Sequence, residues 1–355
     1  MNIKQFIESS KRIKPYRPTP PVSGVSDVLK LNSNENLLLS KQFIQGMVIE
    51  AANETDPRLY PQGEEQELKQ VIAKLNNVEP DQVVISAGGD QVIELLFSLL
   101  QRGDSVTAVT PTFSMYPRAA LQRGIELREA SLGNDFTLNV QRTLEIADGS
   151  SMLVVCNPNN PTGNQFPRED LVELIEGFNG LVLVDEAYQE YSDYSLVELT
   201  KEYMNLIILR TFSKAYGLAG MRLGYCIANK ELATTLRDRY LMPYPVPNIV
   251  LKTGYKMLIQ NQLVMDTVAE TKKQREWLIK ELQSLDGVEA FPSQANFVLF
   301  NTEKPYNEVY DQLLSRGIIL SKQGRVLDKE NCLRVTIASK PMLIRLLDAL
   351  KEAIK

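Results

Sequence analysis

Four apolar runs in this chain of 355 residues end in groups able to do chemistry. Val184 leads into Asp185-Glu-Ala-Tyr188, Arg210 into Thr211-Phe-Ser-Lys214, Cys156 into Asn157-Pro-Asn-Asn-Pro-Thr-Gly163, and Ser86 into Ala87-Gly88-Gly89-Asp90. Asp185 follows four apolar residues, so its carboxylate sits at the rim of a buried layer, where an unpaired charge is expensive and calls for a cation. Lys214 precedes the small-residue segment Ala-Tyr-Gly-Leu-Ala-Gly, and Arg222 lies eight residues on. A desolvated lysine amine beside other cations can form a Schiff base, and an arginine can hold a dianionic group. Gly88 and Gly89, at a strand-to-helix junction, let backbone N–H groups face a phosphate. Taken singly, each has a plainer reading: Asp185 as a turn cap, Lys214 as a solvated loop lysine, Gly88-Gly89 as a tight turn, the asparagine-proline block as a structural loop, and Phe113 and Tyr116 as core aromatics.

What is missing narrows the choice. The chain has no histidine, which removes Ser-His-Asp and Cys-His arrangements, histidine-ligated zinc and every imidazole base. Proton transfer falls to Lys, Tyr, Cys or a carboxylate. Neither G-x-x-x-x-G-K-[ST] nor G-x-G-x-x-G occurs, so the standard nucleotide cradles are not expected. Lys plus Arg is 39 and Asp plus Glu 44, a formal charge of −5 without basic runs, which argues against nucleic acid and anionic membrane as partners. No apolar run reaches membrane-helix length and the charged start is unlike a signal peptide, so a soluble, untargeted protein is expected. Cys156, Cys226 and Cys332 are odd in number and widely spaced, which fits neither a disulfide framework nor a metal site and makes a reducing cytoplasm the expectation.

The elements that must position these groups follow from the pattern. Strands are expected at 83–86, 106–109, 152–156, 181–185, 205–210 and 223–229, with a helix from Asp90 to about Gln101. The strands are almost continuously apolar, as burial on both faces of a parallel sheet requires, so the middle of the chain reads as a helix-covered α/β sheet. Ligands of such sheets collect at the carboxyl ends of the strands, where the four polar ends lie. Pro167 and the acids behind it mark a helix start. After the proline-rich 242–248, a helical period runs from about Ile249 to Leu285, followed by NFVLF, GIIL and CLRVTIA strands and a helix from Pro341. That reads as a second, α+β domain, with the extended, proline-rich residues 13–22 packing against it.

A buried acid, a Schiff-base lysine, an arginine and a phosphate-ready helix start together describe pyridoxal phosphate. The motifs carry a resemblance. N-x-N-E-N at 32–36, N-P-N-N-P-T-G at 157–163, V-D-E-A-Y at 184–188 and S-K-A-Y-G-L-A-G-M-R-L-G-Y at 213–225 resemble, in order and spacing, the class I/II pyridoxal-phosphate aminotransferases. RLYPQG at 58–63, TPTFSMY at 110–116, PYP at 243–245, RGIIL at 316–320 and CLRVT at 332–336 are similar to the histidinol-phosphate aminotransferase family within them. The resemblance spans nearly the whole chain. It implies fold type I, with a large domain of mostly parallel, helix-covered sheet and a smaller α+β domain. The expected boundaries are an arm over 1–30 on the small domain, a cofactor domain over 31–245 and a small domain over 246–355.

The resemblance also implies roles. Lys214 would hold the cofactor and act as general acid/base, Asp185 would pair with the pyridine nitrogen, and Asn157 and Tyr188 would bond the ring's phenolic oxygen. Arg222, Ser213, Thr211 and the backbone at Gly89 and Asp90 would take the phosphate, with Tyr60 reaching in from the partner of a homodimer and Phe113 stacking on the ring. Arg334, with Asn34 and Tyr16 nearby, would bind the anionic end of each substrate. The implied reaction is transamination between histidinol phosphate and 2-oxoglutarate. Leu37, Gln91 and Phe113 depart from the usual proline, glutamate and tyrosine. Ser321 stands where relatives often carry a phosphate-binding arginine, with Lys322 and Arg325 as replacements. The alternatives are an aromatic amino acid aminotransferase, a threonine-phosphate decarboxylase, and a pyridoxal-sensing transcription factor, which would need a DNA-binding domain ahead of the roughly 30 residues that precede Leu31 here. A serine acyl-enzyme is disfavoured: Thr211 occupies its nucleophile position in TFSK and no S-D-N is present.

Overall fold

The structure, a computed structural model, describes residues 2–13, 15 and 27–355. Its strands are β1 Leu29–Lys30, β2 Val83–Ser86, β3 Ser105–Thr110, β4 Glu126–Ser131, β5 Met152–Cys156, β6 Leu181–Asp185, β7 Leu206–Thr211, β8 Gly224–Ala228, β9 Val288–Ala290, β10 Phe297–Thr302, β11 Ile318–Ile319, β12 Ser321–Val326 and β13 Lys329–Thr336. Seven form a central sheet in the order β2-β8-β7-β6-β5-β3-β4. β8 alone runs antiparallel to its neighbours β2 and β7, and the other pairings are parallel. The mostly parallel sheet expected from the apolar runs is therefore present. Val154, Leu183, Ile207 and Ile227 have no solvent exposure, because helices cover both faces.

The winding reverses at β3, which has β4 on one side and β5 on the other. Loops leaving β3 and β5 then diverge at the carboxyl edge and open a crevice, the usual ligand position in such sheets. β4 escapes sequence reading. Its ELREAS carries polar side chains because it is an edge strand paired only with β3, and charged edges resist further pairing.

A second sheet, β12-β13-β10-β9, is antiparallel. Leu278, Leu313, Leu343 and Leu346 from three helices pack on its Val298, Phe300, Leu333 and Val335. The helical period expected over 249–285 is interrupted at Gln260 and gives two helices, Asn248–Ile259 and Asn261–Gln283. The first packs Leu251 and Met257 into the core around Leu68 and Phe212, and the second contributes to both cores, Val264 and Val268 to one and Leu278 and Leu282 to the other. We therefore propose a domain boundary inside Asn261–Gln283 in place of 246. β1 pairs in parallel with β11 and feeds residues 31–36 toward the crevice. Residues 14 and 16–22 of the expected proline-rich arm lie outside the described residues. Among the described residues no helix is long and apolar enough to cross a membrane.

Candidate active site

The carboxyl ends of β2, β5, β6 and β7 close on an inner cavity of about 130 Å³, reached through an outer one of about 920 Å³ that shares Asp90, Phe113, Asn160, Tyr188, Lys214 and Arg222 with it. Asp185, the last residue of β6, faces the inner cavity. The Tyr116 hydroxyl donates to its Oδ2, and the Ala187 N–H donates to Oδ1 at 3.0 Å. Burial pushes the Asp185 carboxyl up to about 6, and these two donors oppose the rise. The acid is thus ionised at neutral pH but strained toward protonation, which suits a cationic ring nitrogen.

Lys214 comes from the turn after β7. Its Nζ donates to the Ser33 carbonyl at 3.0 Å and lies 5.6 Å from the centroid of the Tyr188 ring. Burial, and then the charge of Arg334, pull the amine down to about 8. Tyr188 accepts from Asn34 Nδ2 at 2.9 Å, and its phenol is pushed upward by burial. Asn34 has φ 55°, a left-handed conformation that asparagine tolerates. Its N–H donates to Thr336 Oγ1 at 2.9 Å and its carbonyl accepts from Asn296 Nδ2 at 3.0 Å.

At the opposite end of the cavity, the helix Gly89–Ser98 begins beside Arg222. Arg222 donates to Asp90 Oδ2 at 2.9 Å and to Ser213 Oγ at 3.4 Å, and the Ser213 N–H donates to Thr211 Oγ1 at 3.1 Å. Gly88 has φ 82°, and a Cβ there would come within 2.7 Å of Arg222 Nη2. A side chain at 88 would therefore displace the guanidinium. A helix start, two hydroxyls and an arginine form a dianion cradle.

Arg334, on β13, is buried. It donates to Asn160 Oδ1 and, at 3.1 Å, to the Asn32 carbonyl, with its Cζ 5.0 Å from the Phe297 ring centroid. Its Nε is buried and has no partner among the described residues. Phe113 lines both cavities and meets Tyr116 edge-on at 5.9 Å.

Two expected site residues, Asn157 and Arg325, fall elsewhere. Asn157 lines neither cavity: its Oδ1 accepts from the Phe166 N–H at 2.9 Å and its Nδ2 donates to the Tyr194 hydroxyl at 3.3 Å. Asn160, three residues on, faces the cavity in its stead. Arg325 points away, bonded to the Leu327 carbonyl at 2.9 Å and 3.4 Å from Glu330, beyond the register shifts that interrupt the regular alternation of β12. Lys322 lines the outer cavity, with its Nζ 4.6 Å from the Tyr310 ring centroid. Tyr60 is 74% exposed and stacks on Tyr244 at 4.8 Å, away from its own chain's cavity. Tyr16 lies outside the described residues. Sequence reading also overlooked Arg118 and Lys30 in the outer wall; neither sits in an apolar run or a motif that would mark it.

The family described as aminotransferase class I and II matches residues 26–350. A histidinol-phosphate aminotransferase of Flavobacterium johnsoniae is 34% identical over 342 residues, 94% of this chain and 93% of that one. One of Caldanaerobacter subterraneus subsp. tengcongensis is 31% identical over 348 residues, 97% of each chain. The crystal structure of histidinol-phosphate aminotransferase from Sinorhizobium meliloti in complex with pyridoxal-5'-phosphate matches in fold with a TM-score of 0.84, at 23% identity, covering 92% of this chain and 90% of that one.

Proposed function

The chain belongs to the class I and II aminotransferases, and from that premise we propose that it exchanges an amino group between histidinol phosphate and 2-oxoglutarate, using pyridoxal phosphate. One observation carries the reading: a lysine amine, a buried carboxylate and an arginine cradle face a single inner cavity. That donor set fits the cofactor. Asp185 is an anion for the ring nitrogen, and Arg222 packs its guanidinium where a Cβ at residue 88 would crowd it.

When bound, pyridoxal phosphate supplies an aldehyde that captures amines and a protonated ring that accepts the electron pair released at the substrate carbon. The chain does the rest. Arg222, Ser213, Thr211 and the first turn at Gly89 and Asp90 would hold the phosphate, and Phe113, on the cavity wall, would lie against the ring. Asp185 keeps the proton on the ring nitrogen. Asn160, in place of Asn157, would join Tyr188 in holding the phenolic oxygen. Lys214, its amine brought down to about 8 by burial and by Arg334, would take and return the proton at the substrate carbon, a task that needs no histidine. Arg334 takes the carboxylate of glutamate in one half-reaction and the phosphate of histidinol phosphate in the other.

The same reading includes a two-fold dimer in which Tyr60 completes the partner's site. An exposed tyrosine pair outside its own cavity supports it, since a two-fold contact is self-complementary. Mixing Lys214→Ala with Tyr60→Phe subunits should restore one intact site per heterodimer, and a fully active monomer would refute the sharing. Three free, buried cysteines support a cytoplasmic setting.

The test is a set of initial rates with 2-oxoglutarate as acceptor and histidinol phosphate, phenylalanine, tyrosine or threonine phosphate as donor, with a carbon dioxide assay for the last. Histidinol phosphate should lead. An aromatic amino acid ahead by more than about tenfold in kcat/KM, roughly 1.4 kcal/mol, would make the enzyme an aromatic aminotransferase, and carbon dioxide from threonine phosphate would make it a decarboxylase.

A further inference from the structure

We infer that Tyr116 is a positioning residue that sets the charge and aim of Asp185, and with them the pH range in which the cofactor ring can be held. The inference rests on the proposed cofactor role of Asp185 and assigns the residue that acts through it. Tyr116 lies in the first turn of the helix Met115–Arg123 and has no solvent exposure. Its hydroxyl donates to Asp185 Oδ2 and also bears on the neighbouring Cys156 thiol. Its ring is fixed edge-on by Phe113, which lines the cavity.

The remaining surroundings of Asp185 explain why one hydroxyl matters. Cys156, the end of β5, is a buried thiol held protonated by burial and by the charge of Asp185, so it does not titrate nearby. Tyr188, from the turn after β6, stays a phenol for the same reason. Asp90, from the helix Gly89–Ser98, disfavours a second negative charge, and Lys214, from the turn after β7, favours one. Among the donors to Asp185, Tyr116 opposes burial most, ahead of the Ala187 N–H. The proton stays on Tyr116, whose phenol burial and the neighbouring carboxylate push well above its ordinary value. So the pair is a neutral donor and an anion, not a shared proton of equal halves.

Removing the hydroxyl leaves a buried carboxylate with one donor fewer, and it will hold its proton to higher pH. A protonated Asp185 must release that proton before a protonated ring nitrogen can be paired, so cofactor affinity falls on the acid side of the Asp185 titration.

The experiment uses wild-type protein and Tyr116→Phe, stripped of cofactor, and measures the pyridoxal phosphate dissociation constant from about pH 9 to about pH 5. Protonation of the cofactor's own phosphate is common to both proteins and cancels in the ratio of the two constants. The ratio should be near unity at the alkaline end and grow toward about tenfold at the acid end for each pH unit by which the Asp185 titration has moved. A ratio that is flat with pH, whatever its size, would mean that Tyr116 only packs, and would overturn the inference. A second readout needs no variant. In wild-type apoprotein the Tyr116 ¹³Cζ resonance should shift in step with the Asp185 carboxyl as the pH is changed, and a resonance indifferent to that titration would also overturn it. Wild-type protein that binds no pyridoxal phosphate would sink the functional reading, and the resonance would then still decide whether Tyr116 governs Asp185.

Discussion

Arg334 and Asn160 meet side chain to side chain across the crevice, one from the antiparallel sheet and the other from the loop that leaves β5. The guanidinium that would receive a substrate anion is therefore oriented by the residue that would also touch the cofactor ring. Asn160→Ala should disturb both, weakening cofactor binding and raising KM for glutamate together. Asn157→Ala should behave differently: it strands the buried Phe166 N–H, at a cost of about 1–3 kcal/mol in stability, with KM little changed. Equilibrium unfolding and steady-state kinetics on the two variants separate the roles.

Lys214 is the expected point of covalent attachment. Because burial and Arg334 bring its amine down to about 8, the neutral form is present some two pH units below an ordinary lysine. Borohydride fixation of pyridoxal phosphate to apoprotein should rise with pH and level off just above about 8. Lys214→Ala should keep its unfolding midpoint and lose both the label and essentially all turnover. Recovery of the label on another lysine would end the assignment.

Asp185 links function to stability. Its carboxyl titrates near 6 in the fold and near 3.8 when unperturbed, so between those values the folded chain binds more protons than the unfolded one. The corresponding stability is complete below the lower value and is lost as pH rises through the upper one. The loss is about 3 kcal/mol. Apoprotein carrying Asp185→Asn should therefore be the more stable at pH 7.5, by up to that amount, with the gap closing toward pH 4. Its turnover should fall by about 10²-fold or more, a few kcal/mol of barrier. Urea unfolding at both pH values checks the first claim, and a variant no more stable than wild type at pH 7.5 would show the charge to be compensated.

Lys322 and Arg325 divide the phosphate question left by Ser321. Lys322 faces the outer cavity, whereas the Arg325 side chain is 69% exposed and engaged with Glu330. Lys322→Ala should raise KM for histidinol phosphate by about tenfold with kcat spared, a loss of binding alone. Arg325→Ala should leave both within about twofold. The reverse ranking would restore Arg325 to the site.

How much of this was legible in the sequence depended on what each residue type can signal. β2, β5, β6, β7 and β8 announced themselves because strands buried on both faces admit only apolar side chains. β4 could not, since an edge strand may be as polar as a loop. The break at Gln260 carries no proline or glycine, so nothing interrupted the helical period there. Asp185 stood out because a charged residue ending an apolar run is rare, and Lys214 and Arg222 because they flank the small-residue segment just beyond another such run. The block at 157–163 holds three asparagines, and which one faces the cavity depends on the loop's path. Lys322 and Arg325 are separated only by which side of β12 each faces, around register shifts in its pairing with β13.

The Lys214 amine rests on the carbonyl of Ser33, a backbone atom that every residue type supplies. Nothing in that contact distinguishes serine from alanine or glutamate, so position 33 is open to drift. The constraint passes to its neighbour, where Asn34 must hold a left-handed backbone and offer a carboxamide to Tyr188. Genetic variation across residues 32–34 should therefore be lopsided, permissive at the residue that touches the reactive amine and narrow at the residue that does not.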